Sequence, residues 1–388
     1  VMLTEKISAA QAEILLASAR KKEYHEDTRP PAGAHAPAAA AEEAETMNRF
    51  DFPKIELHLH LDGSIPAQTM WELAAEGGIT LPAATPEEWQ QYLIRTADCR
   101  DVNEYLARFE YPLQMLQTAE NLARVTREEL ALLASQGVAY CEIRFAPQLH
   151  TRARLTQRDA VEAVLDGRRQ ALAAHPEIGC GILLCAMSIG PETCNMEQNL
   201  ETVRLTREYL GRGVAGLDLA GAEGIVPLHN FHPVFDLARE LDVPFTCHAG
   251  DSQGPDTVRD ALDFGARRIG HGHHIFDAPE LWPRAIENGV TLEICPTSNI
   301  QCRTQPSFAA HPAKKLFDAG LRVTINTDNM ALANTDLDKE YAHCVDEMGF
   351  TMKDLVQMNI YAAEAAFMEE DERRRLLARL TAAQDALL

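Results

Sequence analysis

The chain has 388 residues, with 36 basic against 58 acidic side chains, a formal net charge of −22 and 46% hydrophobic content. That apolar content excludes global disorder, and the acidic balance, with no local basic patch to relieve it, excludes nucleic acid or an anionic membrane as the partner. No apolar run approaches the ~18 residues a spanning helix requires, and cysteines without any C-x-x-C pair read as small buried side chains in a reducing compartment, by default the cytoplasm.

In chain order, a short helical pattern around Ile7, Ala10, Ile14 and Leu15 gives way to Pro30, Pro31, Gly33, Pro37 and the alanines of 38–41. Such a stretch has little to bury, so residues 1–48 are expected to be a tail, and Met47, just ahead of the first globular stretch, is a candidate start. Residues 49–388 are expected to form one domain. From Phe52 onward the pattern predicts strands at 55–60, 138–145, 180–187, 214–219, 244–248, 268–271, 290–295 and 321–327. Helical patterns separate them at 126–136, 158–174, 200–211, 233–241, 257–265, 279–288 and 309–320, several ending at glycine. Eight strand-then-helix repeats predict a parallel TIM-type β/α barrel over a doubly wound open sheet. The connection over 70–132 is too long for one helix and carries extra helical patterns at 86–92 and 103–115, an insertion expected on the carboxyl face of the barrel. After Asp328 the chain reads as helical through 361–380, wrapped around the barrel.

The chemistry begins in the first strand. Period two puts Ile55, Leu57, Leu59 and Leu61 on one face and Glu56, His58, His60 and Asp62 on the other, so two imidazoles point the same way. His248, His271 and Asp328 close the fifth, sixth and eighth predicted strands, and in a barrel those carboxyl ends converge on one mouth. Three imidazoles and a carboxylate suit zinc, with one position left for water, although cobalt, iron or manganese take similar ligands. His273 and His274 read as loop or supporting residues.

The segments H-L-H-L-D-G at 58–63, L-D-L-A-G at 217–221, H-A-G-D at 248–251, G-H-G at 270–272 and N-T-D-N at 326–329 resemble adenosine deaminase of the amidohydrolase superfamily. The resemblance runs from about Phe52 to the carboxyl end and includes Y-L-A-R-F-E-Y at 105–111. It implies hydrolysis of adenosine, and of 2'-deoxyadenosine, to the inosine product and ammonia, as a step of purine nucleoside salvage. It also implies that His58, His60, His248 and Asp328 hold one zinc ion, with His60 also facing the substrate, while His271 orients the attacking hydroxide and shuttles its proton. Gly221 would offer backbone to the purine, Asp62 would meet the ribose hydroxyl, Asp251 would protonate ring N1, and Asn329 would donate to N7. Zinc lowers the pKa of bound water toward ~7, which supplies the nucleophile at neutral pH.

Two positions depart from the family pattern. Asp251 stands where the family normally has Glu, and Asn329 where it usually has a second Asp. Both leave the mechanism possible and open the substrate to a different 6-aminopurine or a modified nucleoside; a purine-binding homologue without turnover is a further alternative. A rival from another class is G-x-S-x-G at 250–254, which would make Ser252 an acyl-transfer nucleophile with Asp328 and His343. It leaves the four strand-end histidines unexplained. The G-x-G-x-x-G at 211–216 precedes a strand instead of following one, His175-Pro176-Glu177 has no P-C-x-x-C after it, and Cys295 reads as a buried structural thiol.

Overall fold

The computed structural model describes residues 49–387, apart from 96–98, 100, 101, 191 and 192, so the expected tail over 1–48 lies outside the described residues. Eight parallel strands follow in chain order: β1 (Lys54–His60), β2 (Val138–Phe145), β3 (Gly179–Ser188), β4 (Val214–Gly221), β5 (Thr246–Ala249), β6 (Arg268–His271), β7 (Thr291–Ile294) and β8 (Arg322–Ile325). They form two four-stranded sheets, β1-β2-β3-β4 and β5-β6-β7-β8. At one seam Leu217 bridges Phe245, and at the other Leu59 bridges Asp328. Single bridges complete the ring because the strands of the second sheet are only four residues long. The expected TIM-type barrel is the observed fold, and it lies within the unit Phe52–Leu388.

The long insertion after β1 holds α1 (Ala67–Gly77), α2 (Pro86–Arg95), α3 (Val102–Ala107), α4 (Glu110–Met115) and α5 (Ala119–Ser135). The predicted single helix over 103–115 is therefore two. Pro112 lacks an N–H and is tolerated only in a first turn, so the helix must restart just before it, at Glu110. Beyond β2 come α6 (Gln157–Ala174), α7 (Met196–Tyr209), α8 (His232–Glu240), α9 (Pro255–Phe264), α10 (Trp282–Glu287), α11 (Pro296–Gln301), α12 (Ala313–Asp318) and α13 (Met330–Ala333). The helical tail is α14 (Leu337–Asp346), α15 (Met352–Ala365) and α16 (Glu370–Ala386), so the predicted run over 361–380 breaks at Ala366, whose ψ of 146° leaves the helix. No helix among the described residues is long and apolar enough to cross a membrane.

Both faces of β1 are buried, as parallel strands require. Ile55 and Leu57 pack outward with Ala362, Ala363, Leu376 and Leu380 of α15 and α16. The inward side chains are charged. Arg144 pairs with Asp218 and Glu293 at 2.8 Å each, and Arg268 with Glu142 at 2.6 Å and Glu293 at 2.7 Å, all fully buried. Three carboxylates face two guanidiniums, which leaves an excess negative charge beneath the barrel mouth.

Candidate active site

That excess charge is spent on histidines. Glu293 Oε2 lies 2.8 Å from Nδ1 of His58, and Asp218 Oδ2 lies 3.0 Å from Nδ1 of His248, so each ring turns its Nε2 toward the mouth. Gly270 on β6 makes room for this: a Cβ there would sit 2.9 Å from His58 Cε1. Asp328 is seated by the seam itself. Its N–H donates to His58 O and its carbonyl accepts from His60 N, both at 2.8 Å, in a left-handed conformation with φ of 63°. Its carboxylate then stands 3.5 Å from His58 Nε2 and 3.4 Å from His60 Nε2, with Ser298 Oγ donating to the other oxygen at 2.6 Å.

Ligand atoms of His58, His60 and His248 all lie within 4.8 Å of one another, and the His60 and His248 Nε2 atoms are 3.3 Å apart. Burial holds His58 and His60 below the usual imidazole range, which keeps their lone pairs available. Burial opposes ionisation of Asp328, yet the neighbouring imidazoles of His58, His60 and His271 hold its carboxyl well below the usual range. His58 Nε2 is buried and makes no hydrogen bond. Asp218 raises His248 above the usual imidazole range against the pull of burial, and imidazole nitrogens converging on a carboxylate, one of them orphaned, are the donor set of a divalent cation.

His271 sits beside this set, its ring centroid 4.8 Å from that of His58, with a strained φ of 61°. Nδ1 of His271 is 3.1 Å from Asn299 Nδ2, which donates to Asp251 Oδ1 at 2.7 Å. Thr304 Oγ1 at 3.1 Å and His273 Nε2 at 3.2 Å complete a basket on that same Oδ1. Burial would raise the Asp251 pKa, but His271 and His273 together hold it well below the carboxylate range. The two imidazoles thus favour the carboxylate form of Asp251.

Gly221, with φ of 111°, shares a cleft of about 280 Å³ with Ser188, Leu219, Glu223, Leu228 and His248. Asp62 is buried just beyond β1, where burial lifts its carboxyl to about 6. Asn329 donates one amide N–H to Tyr105 at 2.8 Å, which joins the insertion to the segment after β8 and leaves its second N–H for a ligand. Among the described residues the triad expected for Ser252 does not assemble, and its hydroxyl faces Glu223 at 3.4 Å. Asp328 is enclosed by histidines, while His343 pairs with Glu347 at 2.7 Å and stacks on Phe308. Burial pushes the Cys295 thiol up, which suits a structural role.

Asp218, Glu293, Ser298, Asn299 and Glu223 are functional neighbours that sequence reasoning passed over. Asp218 and Glu293 carried a signal, since each is a carboxylate inside an otherwise apolar strand, in L-D-L-A-G and T-L-E-I. Asn299 follows Cys295-Pro296 directly after β7, a strand end of the kind that supplied the other residues.

A parallel barrel with histidines and carboxylates gathered at the carboxyl ends of its strands defines an enzyme of the metal-dependent amidohydrolase class. The sequence profile of the family described as Adenosine deaminase matches residues 53–383. The chain belongs to the adenosine deaminase family and is an aminohydrolase. It is 39% identical over 329 residues to adenosine deaminase of Haemophilus ducreyi, covering 84% of this chain and 95% of the relative. Among solved structures, adenine deaminase from Arthrobacter aurescens superposes with a TM-score of 0.76 at 25% identity, covering 86% of this chain and 99% of that one. The N6-methyl-AMP deaminase from Arabidopsis thaliana superposes with a TM-score of 0.75 at 27% identity, covering 88% and 99%.

Proposed function

We propose that residues 49–388 act as a cytoplasmic adenosine deaminase that hydrolyses adenosine, and 2'-deoxyadenosine, to inosine or its deoxy form and ammonia, with one zinc ion held by His58, His60, His248 and Asp328. The observation that carries this reading is the facing of that donor set by His271 and Asp251, two proton-handling groups joined through one amide, Asn299. When bound, zinc supplies water acidic enough to serve as nucleophile near neutral pH. Everything else falls to the chain. Gly221 offers backbone to the purine from the cleft wall, His60 faces the substrate, and Asp62 meets the ribose hydroxyl. The reaction adds oxygen to C6 and a proton to N1, then expels the amino group as ammonia. His271 takes the proton from the attacking water, and Asp251, 3.7 Å away, carries a proton to N1. Of the water's two protons, one reaches N1 through Asp251, and the other, taken up by His271, passes to the amino group, which leaves as ammonia.

A second substrate is favoured by one feature: Asp251 is a methylene shorter than glutamate and leaves more room beside the ring. The test is elemental analysis of purified protein together with turnover of adenosine, 2'-deoxyadenosine, adenine and N6-methyl-AMP. One zinc per chain and fastest turnover of adenosine are expected; adenosine turnover no better than its rivals would overturn the substrate assignment.

A further inference from the structure

Glu223 lies two residues past Gly221, on the wall of the same cleft, and no step above uses it. Its carboxylate accepts from four consecutive backbone N–H groups: Gly250 at 2.7 Å, Asp251 at 3.1 Å, Ser252 at 2.7 Å and Gln253 at 3.1 Å. Thr257 Oγ1 adds a fifth donor at 2.6 Å. Two glycines let the strand ends approach this closely. Gly224, with φ of 86°, would otherwise set a Cβ 2.4 Å from Gln253, and Gly250, with φ of 64°, a Cβ 2.4 Å from Val258.

We infer that Glu223 is a positioning residue for proton transfer, holding the turn of residues 250–253 in the conformation that aims Asp251 at the purine ring. The inference rests on the reading of Asp251 as the group that protonates the ring. Four N–H dipoles pointed at one place repel one another unless an anion stands there, so the turn keeps its shape only while the Glu223 carboxylate is present. Asp251 is the second residue of that turn, and its Cα–Cβ direction turns with the backbone. The basket of Asn299, Thr304 and His273 grips only one carboxylate oxygen and cannot restore the root of the side chain. Glu223 also ties β4, which carries the purine-facing Gly221, to the end of β5, so one side chain sets the distance between base site and proton carrier.

The experiment uses Glu223→Ala and Glu223→Gln in the metal-loaded enzyme, with Asp251→Ala beside them. A displacement of about an ångström costs ~100-fold in rate, so both Glu223 variants are expected to keep zinc and KM while kcat falls by about that factor. Formate fits the space left by the carboxylate in Glu223→Ala and is expected to restore kcat saturably, with no effect on the wild type or on Glu223→Gln. Wild-type kcat in both Glu223 variants, or a loss that formate does not relieve and that tracks lowered Tm, overturns the inference. Near-normal turnover of Asp251→Ala would instead overturn the reading beneath it, whatever the Glu223 variants do.

Discussion

Asp251 carries its carboxylate one methylene nearer the backbone than glutamate, and three donors converge on its Oδ1. If it is the proton carrier, Asp251→Ala keeps its zinc and loses ~10²–10⁴ in kcat, the usual worth of general acid–base catalysis. His58→Ala should lose metal and turnover together, because it removes one nitrogen of the trio. Elemental analysis beside kcat separates the two variants, and full metal content in His58→Ala would break the ligand assignment. Glu340 gives a residue-scale prediction about pH. Burial lifts its carboxyl from 4.5 to about 7, against the hydrogen bonds it accepts from Thr297 N and Thr335 Oγ1. Between those values the folded chain holds a proton that the unfolded chain has lost, so this stabilisation is complete below about pH 4.5 and is lost as pH rises through about 7. Glu340→Gln stays neutral throughout. Its Tm relative to wild type is expected to rise across that window, and a difference independent of pH would contradict the assignment.

Helices are placed by their ends as much as by their apolar faces. Thr351 opens α15 with a capping box, its side chain accepting from Asp354 N while Asp354 reaches back to Thr351 N. That start sets the register in which Asn359 accepts from Ile55 N at 2.8 Å, serving the edge of the strand that carries His58 and His60. Thr351→Ala is expected to cost ~1 kcal/mol, read by denaturant unfolding, with kcat unchanged because the bonds of the cap run between Thr351 and Asp354, neither of which belongs to the site. Proline punctuates the same elements. Pro112 restarts α4, Pro283 falls in the first turn of α10, and Pro312 stands just ahead of α12.

Across the whole molecule the barrel interior is an ionic lattice. Arg144 neutralises Asp218 and Glu293, the carboxylates that orient His248 and His58, and also donates to Leu57 O. Removing it leaves two buried carboxylates short of a partner, so Arg144→Ala is expected to cost ~3–5 kcal/mol and to weaken zinc affinity with it. The exposed Arg169, paired with Asp166 on its own helix, is the control, worth at most ~0.5 kcal/mol. Equal losses in the two variants, measured by urea unfolding, would refute the lattice as a support of the site.

Eight strands in their order, and the histidines and aspartate at their carboxyl ends, are legible in the chain alone, whereas several helices, among them α1, α11, α13 and α14, are not. Periods of two and 3.6, glycine stops and strand-end positions are local properties, recorded every few residues, and His58, His60, His248, His271 and Asp328 all fell on them. Only the tertiary structure decided what lies behind those residues. The bond between His58 and Glu293 spans 235 positions, and the grip of Glu223 on the turn after β5 spans up to 30. Such pairs depend on how the ring of strands closes, which no local pattern encodes. The surroundings of Asp251 belong to the same class, because its donors come from the segments after β6 and β7 and the strand that precedes it carries no trace of them.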